Sequence, residues 1–226
     1  MFIGHFAVAF AARRAAPAVS LGWLMLAAQF IDLLWPSLLM LGVERVRIAP
    51  GATAVTPLAF EHYPWSHSLA MVALWALVVG GLWLALRRDR RGALVLALLV
   101  LSHWLLDAVV HAPDLPLVPG GTARIGLGLW DSVAASQTLE VALFAFGVAL
   151  YARSTRALDG IGRFGLWALV AFLLLIQWAN VAGPPPPDVR ALAWVGQLQW
   201  LLVLWGGWID RHRAPAGLSW RAEAGA

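Results

Sequence analysis

The stretch G-A-L-V-L-A-L-L-V-L-S-H-W-L-L-D-A-V-V-H, Gly92 to His111, decides the fold. As a helix rising about 1.5 Å per residue, it matches the ~30 Å hydrocarbon core of a bilayer. Arg87, Arg88, Arg90 and Arg91 precede it and Pro113 follows, so charge bounds it on one side and a helix breaker on the other. Within this greasy run stand His103, Asp107 and His111. Their i, i+4, i+8 spacing puts all three on one helix face. A charge inside hydrocarbon costs at least ~2.5–3.5 kcal/mol on insertion scales, so three ionisable groups on one stripe mark a function as well as a span.

Five more runs share this character: 18–42, 66–86, 133–152, 164–183 and 191–209. The composition agrees. Of 226 residues, 61% are hydrophobic and 12% charged, against roughly 25% charged in an average soluble protein. This excludes an ordinary water-soluble domain and a disordered chain. The net charge of +4 and pI near 10.9 come from arginines dispersed between apolar runs, which fits membrane topology and not a nucleic-acid face. The absence of Cys excludes disulfides, thiolate nucleophiles and Cys-based metal sites.

The loops alternate in arginine content. Arg13–Arg14, Arg87–Arg91, the Arg153/Arg156/Arg163 loop and the tail with Arg211 and Arg213 form one set. Loops 43–65, 112–131 and 184–190 carry fewer. The positive-inside rule places the first set, and both termini, in the cytoplasm. Residues 1–12 are apolar but too short to span, and no basic residue precedes them as in a signal peptide. They read as a short, half-inserted N-terminal helix that survives only by packing against protein. The expected fold is therefore all-α: a polytopic membrane helix bundle of six transmembrane helices plus that short helix, forming one integral membrane domain. Residues 1–152 carry the site; 153–226 supply two accessory spans and a short cytoplasmic tail.

Other costly residues join the stripe: His5 in the N-terminal helix, Asp32 in the first span, His67 opening the second, and Glu140 in the fourth. Counting from the cytoplasmic arginines, His103 lies roughly 18 Å up, Asp107 roughly 24 Å and Glu140 roughly 20 Å. One slab, from the midplane to the outer half, holds most of them. No Lys exists to pair with the acids, and no Arg lies inside a span. A divalent ion, zinc or manganese, would offset the buried negative charge. It could polarise an ester oxygen, with a neighbouring carboxylate as general base. Glu140 and Asp107 are the catalytic candidates. His111, beside Ala112-Pro113, and Asp131, before Ser132, extend the set; the bland readings are a solvated span end for His111 and a helix cap for Asp131. Ser66 reads as a helix N-cap ahead of His67. The G-L-G at 126–128 is no phosphate loop, since no strand is expected before it.

At these residues the chain resembles the membrane-bound, metal-dependent hydrolase family, also described as LexA-binding inner-membrane-associated hydrolases. Gly4-His5 is similar to an early Gly-His. I-D-L-L-W-P, with Asp32, resembles a P-D-x-D helix end that keeps one acid. H-Y-P-W-S-H-S, His62 to Ser68, is similar to H-R-G-x-T-H-S, and S-H-W-L-L-D, Ser102 to Asp107, to S-H-x-x-x-D. The likeness covers about residues 1–145. It implies a multi-pass protein of the bacterial inner (plasma) membrane and a divalent-metal site drawing on His5, Asp32, His62, His67, His103 and Asp107. Two departures stand out: Leu33-Leu34 replaces a second acid, and Tyr63-Pro64 replaces Arg-Gly. The expected activity is hydrolysis of an ester, foremost a phosphoester or a lipid, at the outer half of the membrane. The alternatives are transport of a metal ion or protons, and a non-catalytic membrane scaffold stapled by a structural metal. Membrane lipids are the expected surroundings; nucleic acid is not an expected partner.

Overall fold

The computed structural model describes residues 1–216. The polar tail expected to face the cytoplasm lies partly outside this range. The described chain is mostly helical and contains five helical segments long and apolar enough to cross a membrane, with residues 189–211 counted as one although the helix is interrupted at Leu198. A sixth crossing results if a bent pair counts as one.

The order begins with α1 (Ile3–Ala15), α2 (Leu21–Ala28) and α3 (Phe30–Met40). A hairpin of β1 (Arg45–Ile48) and β2 (Leu58–His62) follows, then the one-turn α4 (Pro64–His67). The long α5 (Leu69–Arg87) and α6 (Arg90–Val110) come next, then two-residue strands β3 (Leu115–Pro116) and β4 (Arg124–Ile125). After α7 (Val133–Ser154) and β5 (Thr155–Ala157) come α8 (Gly160–Ala182), α9 (Val189–Gln197), α10 (Gln199–Arg211) and β6 (Arg213–Pro215). β5 and β6 pair antiparallel.

Local chemistry sets the boundaries. Asp89, Ser132, Asp159 and Asp188 each accept a backbone N–H at the N-terminus of α6, α7, α8 and α9. Ser68, and not the expected Ser66, caps α5 by accepting from Met71 N–H. Ser132, not Asp131, caps α7. A two-residue strand does precede Gly126, contrary to expectation, but a single 3-10 turn follows the G-L-G and no phosphate-binding helix opens there.

α1 is the centre of the bundle. At 13 residues it is about 20 Å long and too short to span. Ile3, Phe6, Ala9 and Phe10 are fully buried in it. It packs along α7, where Gly147 permits the approach: a Cβ there would stand 2.8–2.9 Å from backbone carbons of Ala7. α2 and α6 cover its other sides. Outward faces remain apolar instead. Leu77 and Leu86 of α5, Phe164 of α8 and Leu204 of α10 are each more than 60% exposed, and only 17% of the apolar window of α5 is buried. Such faces suit lipid and are consistent with a multi-pass membrane protein.

The first expected span, 18–42, is not one straight helix. α2 and α3 meet at Gln29 with a 55° bend. The break leaves the Ala28 carbonyl without its helical donor, the Asp32 N–H, and the ladder resumes with Leu33 N–H to Gln29 O. That spare acceptor has a use in the site.

Candidate metal centre

α6 carries two of the central residues on one face. His103 is fully buried and Asp107 is 2% exposed. His103 Nδ1 lies 2.8 Å from the Ala28 carbonyl freed by the α2–α3 break. A carbonyl only accepts, so Nδ1 carries a proton and Nε2 is the atom turned toward the site. That Nε2 is buried without a hydrogen-bond partner among the described residues. It faces Asp107 Oδ2 at 3.2 Å and Asp32 Oδ1, from the first turn of α3, at 3.6 Å.

His67 is fixed from behind in the same way. The Ser66 hydroxyl donates to Glu44 Oε2 at 2.6 Å, so its oxygen accepts from His67 Nδ1–H at 2.7 Å. Glu44 is itself held by the Trp65 and Ser66 N–H groups, both at 2.8 Å to Oε1. His67 Nε2 then points forward, 3.5 Å from Asp32 Oδ1 and 3.9 Å from Asp107 Oδ2. Proline at the start of α4 and the Ser68 break before α5 give the one-turn helix that aims this ring.

Two imidazole Nε2 atoms thus face two carboxylate oxygens across 3.2–3.9 Å. A tetrahedral site with bonds of about 2.0–2.1 Å has ligand–ligand edges of about 3.3–3.4 Å. The donor set therefore fits a divalent cation at the scale of its own coordination shell. Ligand atoms of Asp32, His67 and His103 all lie within 4.8 Å of one another, as do those of His5, His103 and Asp107.

The two oxygens of Asp107 divide their work. Oδ2 faces the two Nε2 atoms. Oδ1 takes His5 Nε2 at 3.1 Å and the amino group of Met1 at 2.6 Å. His5 also stacks on His103, with centroids 3.7 Å apart and planes 5° from parallel. It braces both neighbours, while its own Nδ1 is buried without a partner among the described residues.

Glu140 belongs to neither ligand group. Its Oε2 accepts from Phe2 N–H at 2.8 Å and Gly4 N–H at 3.3 Å, closing the N-terminus of α1. Its Oε1 has no hydrogen-bond partner among the described residues, and the residue lines a cavity of about 480 Å³ beside Asp32, His67 and Asp107. Trp35, Phe60, Trp130 and His111 form an aromatic part of the wall. The loops 50–58 and 183–186 rim it.

The remaining expected ligands stay apart. His62 is exposed at the end of β2, opposite Arg45, and lines a separate cleft. Pro64 turns the chain between it and His67, so the two histidines of the H-Y-P-W-S-H-S stretch do not converge. His111 is buried, but its Nδ1 goes to Asp114 Oδ1 at 2.9 Å and its ring packs on Trp130. Tyr63 donates to the same Asp114 oxygen at 2.7 Å, and burial with the Asp114 charge pushes its phenol pKa up. Asp131 is exposed in the turn before α7.

Sequence reasoning missed Glu44 and Ser66 as supports of His67, and Asp210, which in the sequence only flanks the end of the 191–209 run. Asp210 is buried, accepts from Tyr151 hydroxyl at 2.7 Å and Leu21 N–H at 3.2 Å, and pairs with Arg13 at 3.3 Å. It ties α1, α2, α7 and α10 together at the end remote from the His–Asp cluster. No family model, curated protein or solved structure matches the chain.

Proposed function

We propose that the chain is a membrane-embedded, metal-dependent hydrolase of the kind its motifs resemble, with Asp32, His67, His103 and Asp107 as ligands of zinc or manganese. One observation carries this reading: a hydroxyl and a backbone carbonyl hold the two imidazoles by Nδ1 and aim both Nε2 atoms at the same two carboxylates. Two carboxylates this close in a buried site need positive charge between them, and four converging donor atoms at the spacing of a coordination shell suit a divalent cation. His5 orients Asp107 from behind. Such centres owe much of their affinity to supports of this type, and Ala28 O, Ser66 and His5 supply them here.

A bound divalent ion supplies Lewis-acid polarisation and eases the deprotonation of water. The residues of the chain do the rest. Glu140 Oε1, free beside the cavity, accepts a proton from the attacking water and returns it to the departing ester oxygen. The aromatic wall limits bulk water. The cavity volume falls within the range of small-molecule sites.

The reading includes six crossings, the α2–α3 pair counted as one, in a bacterial inner membrane with both termini cytoplasmic. Arginine distribution supports this orientation. The loops that rim the cavity are then on the outer side, and the substrate is an ester at the outer half of the bilayer. A conduction path is disfavoured, because the residues beneath the centre, including Phe6, Phe10, Leu24, Leu96 and Val100, are buried and apolar. A purely structural metal leaves the adjoining cavity without a purpose.

The test is elemental analysis of the purified chain against His103→Ala and Asp107→Ala, each checked for monodispersity. Wild type should hold about one equivalent of zinc or manganese and both variants far less. Equal, near-zero metal in all three sinks the proposal.

A further inference from the structure

The walls of the cavity say what kind of ester enters it. Three carboxylates line it: Asp32, Asp107 and Glu140. No arginine side chain lines it among the described residues, and the chain contains no Lys. The amino group of Met1 lines that wall too, and Asp107 engages it at 2.6 Å.

Besides a metal ion, proteins hold phosphate by two common devices that offset its charge: basic side chains, with arginine favoured for bidentate contact, and the free N–H groups of a helix N-terminus. The first is absent from this wall. The second is present at α1 but already filled, because Glu140 Oε2 occupies the Phe2 and Gly4 N–H groups. The positive end of α1, worth about half an elementary charge, is used on the protein's own carboxylate. The charge count agrees. A divalent ion and the Met1 amino group together offset Asp32, Asp107 and Glu140, which leaves no surplus positive charge to meet an anionic substrate. A phosphomonoester would bring two further negative charges into a half-enclosed cavity of low dielectric. A carboxylic ester or amide brings none, and its single developing oxyanion is the charge that one divalent ion can meet.

We infer that the substrate class is an uncharged ester or amide of a carboxylic acid, not a phosphomonoester. This rests on the hydrolase reading above and narrows its substrate. In the step, the water oxygen bonds to the carbonyl carbon and the bond from that carbon to the alcohol oxygen, or amine nitrogen, breaks. One water proton passes through Glu140 to the leaving group, and the acid departs as its carboxylate with release of the second proton. No oxidant or other co-reactant is needed. Trp35, Phe60 and Trp130 offer apolar surface to the acyl or alcohol part.

The full chain in detergent, loaded with zinc or with manganese, is assayed on p-nitrophenyl butyrate and p-nitrophenyl phosphate. The two share a leaving group and differ in charge. The butyrate should be cleaved, with loss of turnover in His103→Ala, and the phosphate should show kcat/KM at least about 100-fold lower, the factor expected for like charges brought together. Inorganic phosphate should neither inhibit nor raise the melting temperature of the loaded protein. Thr56→Arg, which puts a guanidinium on the cavity wall, should create phosphate inhibition. Cleavage of the phosphate at the butyrate rate, or tight phosphate binding by wild type, overturns the inference and leaves the hydrolase reading standing. Metal bound but neither ester cleaved overturns both.

Discussion

Replacing Ser66 by alanine removes one oxygen atom from behind His67, and the structure lets the cost be worked out. That oxygen accepts from His67 Nδ1–H at 2.7 Å and donates to Glu44 Oε2 at 2.6 Å, and it is fully buried. Without it the ring loses the bond that holds its proton on Nδ1. The proton then gains by moving to Nε2, where Asp32 Oδ1 accepts it at 3.5 Å, and the ligand lone pair is lost. A hydrogen bond to a charged group contributes about 1.5–3 kcal/mol. Loss of an outer-shell support costs about 10–100-fold in metal affinity, or about 1.4–2.7 kcal/mol, so the two estimates agree. The assay is zinc competition against a chromophoric chelator, with thermal unfolding run alongside. Ser66→Ala should weaken binding by that factor, and Ser66→Thr, which keeps the hydroxyl, should recover most of it. If Ser66→Ala stays within about twofold of wild type while His67→Ala loses binding, the Glu44–Ser66–His67 chain does not position the ligand.

Asp210→Asn leaves Arg13 buried without its counter-ion; breaking such a pair costs about 3–5 kcal/mol, so a clear fall in melting temperature is expected with metal affinity unchanged. Gly147→Val forces a side chain against the Ala7 backbone and should unseat α1, seen as loss of both metal and monodisperse protein. Asp159 gives a pH signature. The Gly162 N–H and then His212 hold its carboxyl below the ordinary value of 3.8. A depressed folded-state pKa contributes stability that is fully present above the unfolded value and lost as pH falls through the lowered folded one. The melting-temperature gap between wild type and Asp159→Asn should hold steady above about pH 5 and shrink below about pH 4. A gap that is flat down to pH 2 refutes that role.

The apolar runs were legible because lipid imposes a simple length rule, and five of the expected spans have a long helical counterpart. The ionisable stripe of α6 was legible too, since helical spacing alone puts His103 and Asp107 on one face. The broken first span was not. It turns at Gln29, a residue with no helix-breaking signature, and the bend is stabilised by what it reaches: the freed Ala28 carbonyl meets His103, 75 positions away. Glu44 read as one more loop acid, and nothing in its neighbours ties it to Ser66. His62 read as a ligand because it shares a motif with His67, yet a single proline between them sends the two side chains apart. Asp210 read as a flank because its partners, Arg13 and Tyr151, come from distant helices.

Sequence by itself determined which segments are apolar enough for a bilayer and which titratable residues are too costly to be there without purpose. Those are properties of each residue and its near neighbours, paid for one segment at a time. Tertiary structure alone decided which imidazole nitrogen is held from behind and which faces the acids, which carboxylate faces the centre and which closes a helix end. Hydrogen bonds and ion pairs act over about 3 Å, and the residues that make them here lie from one to more than a hundred positions apart.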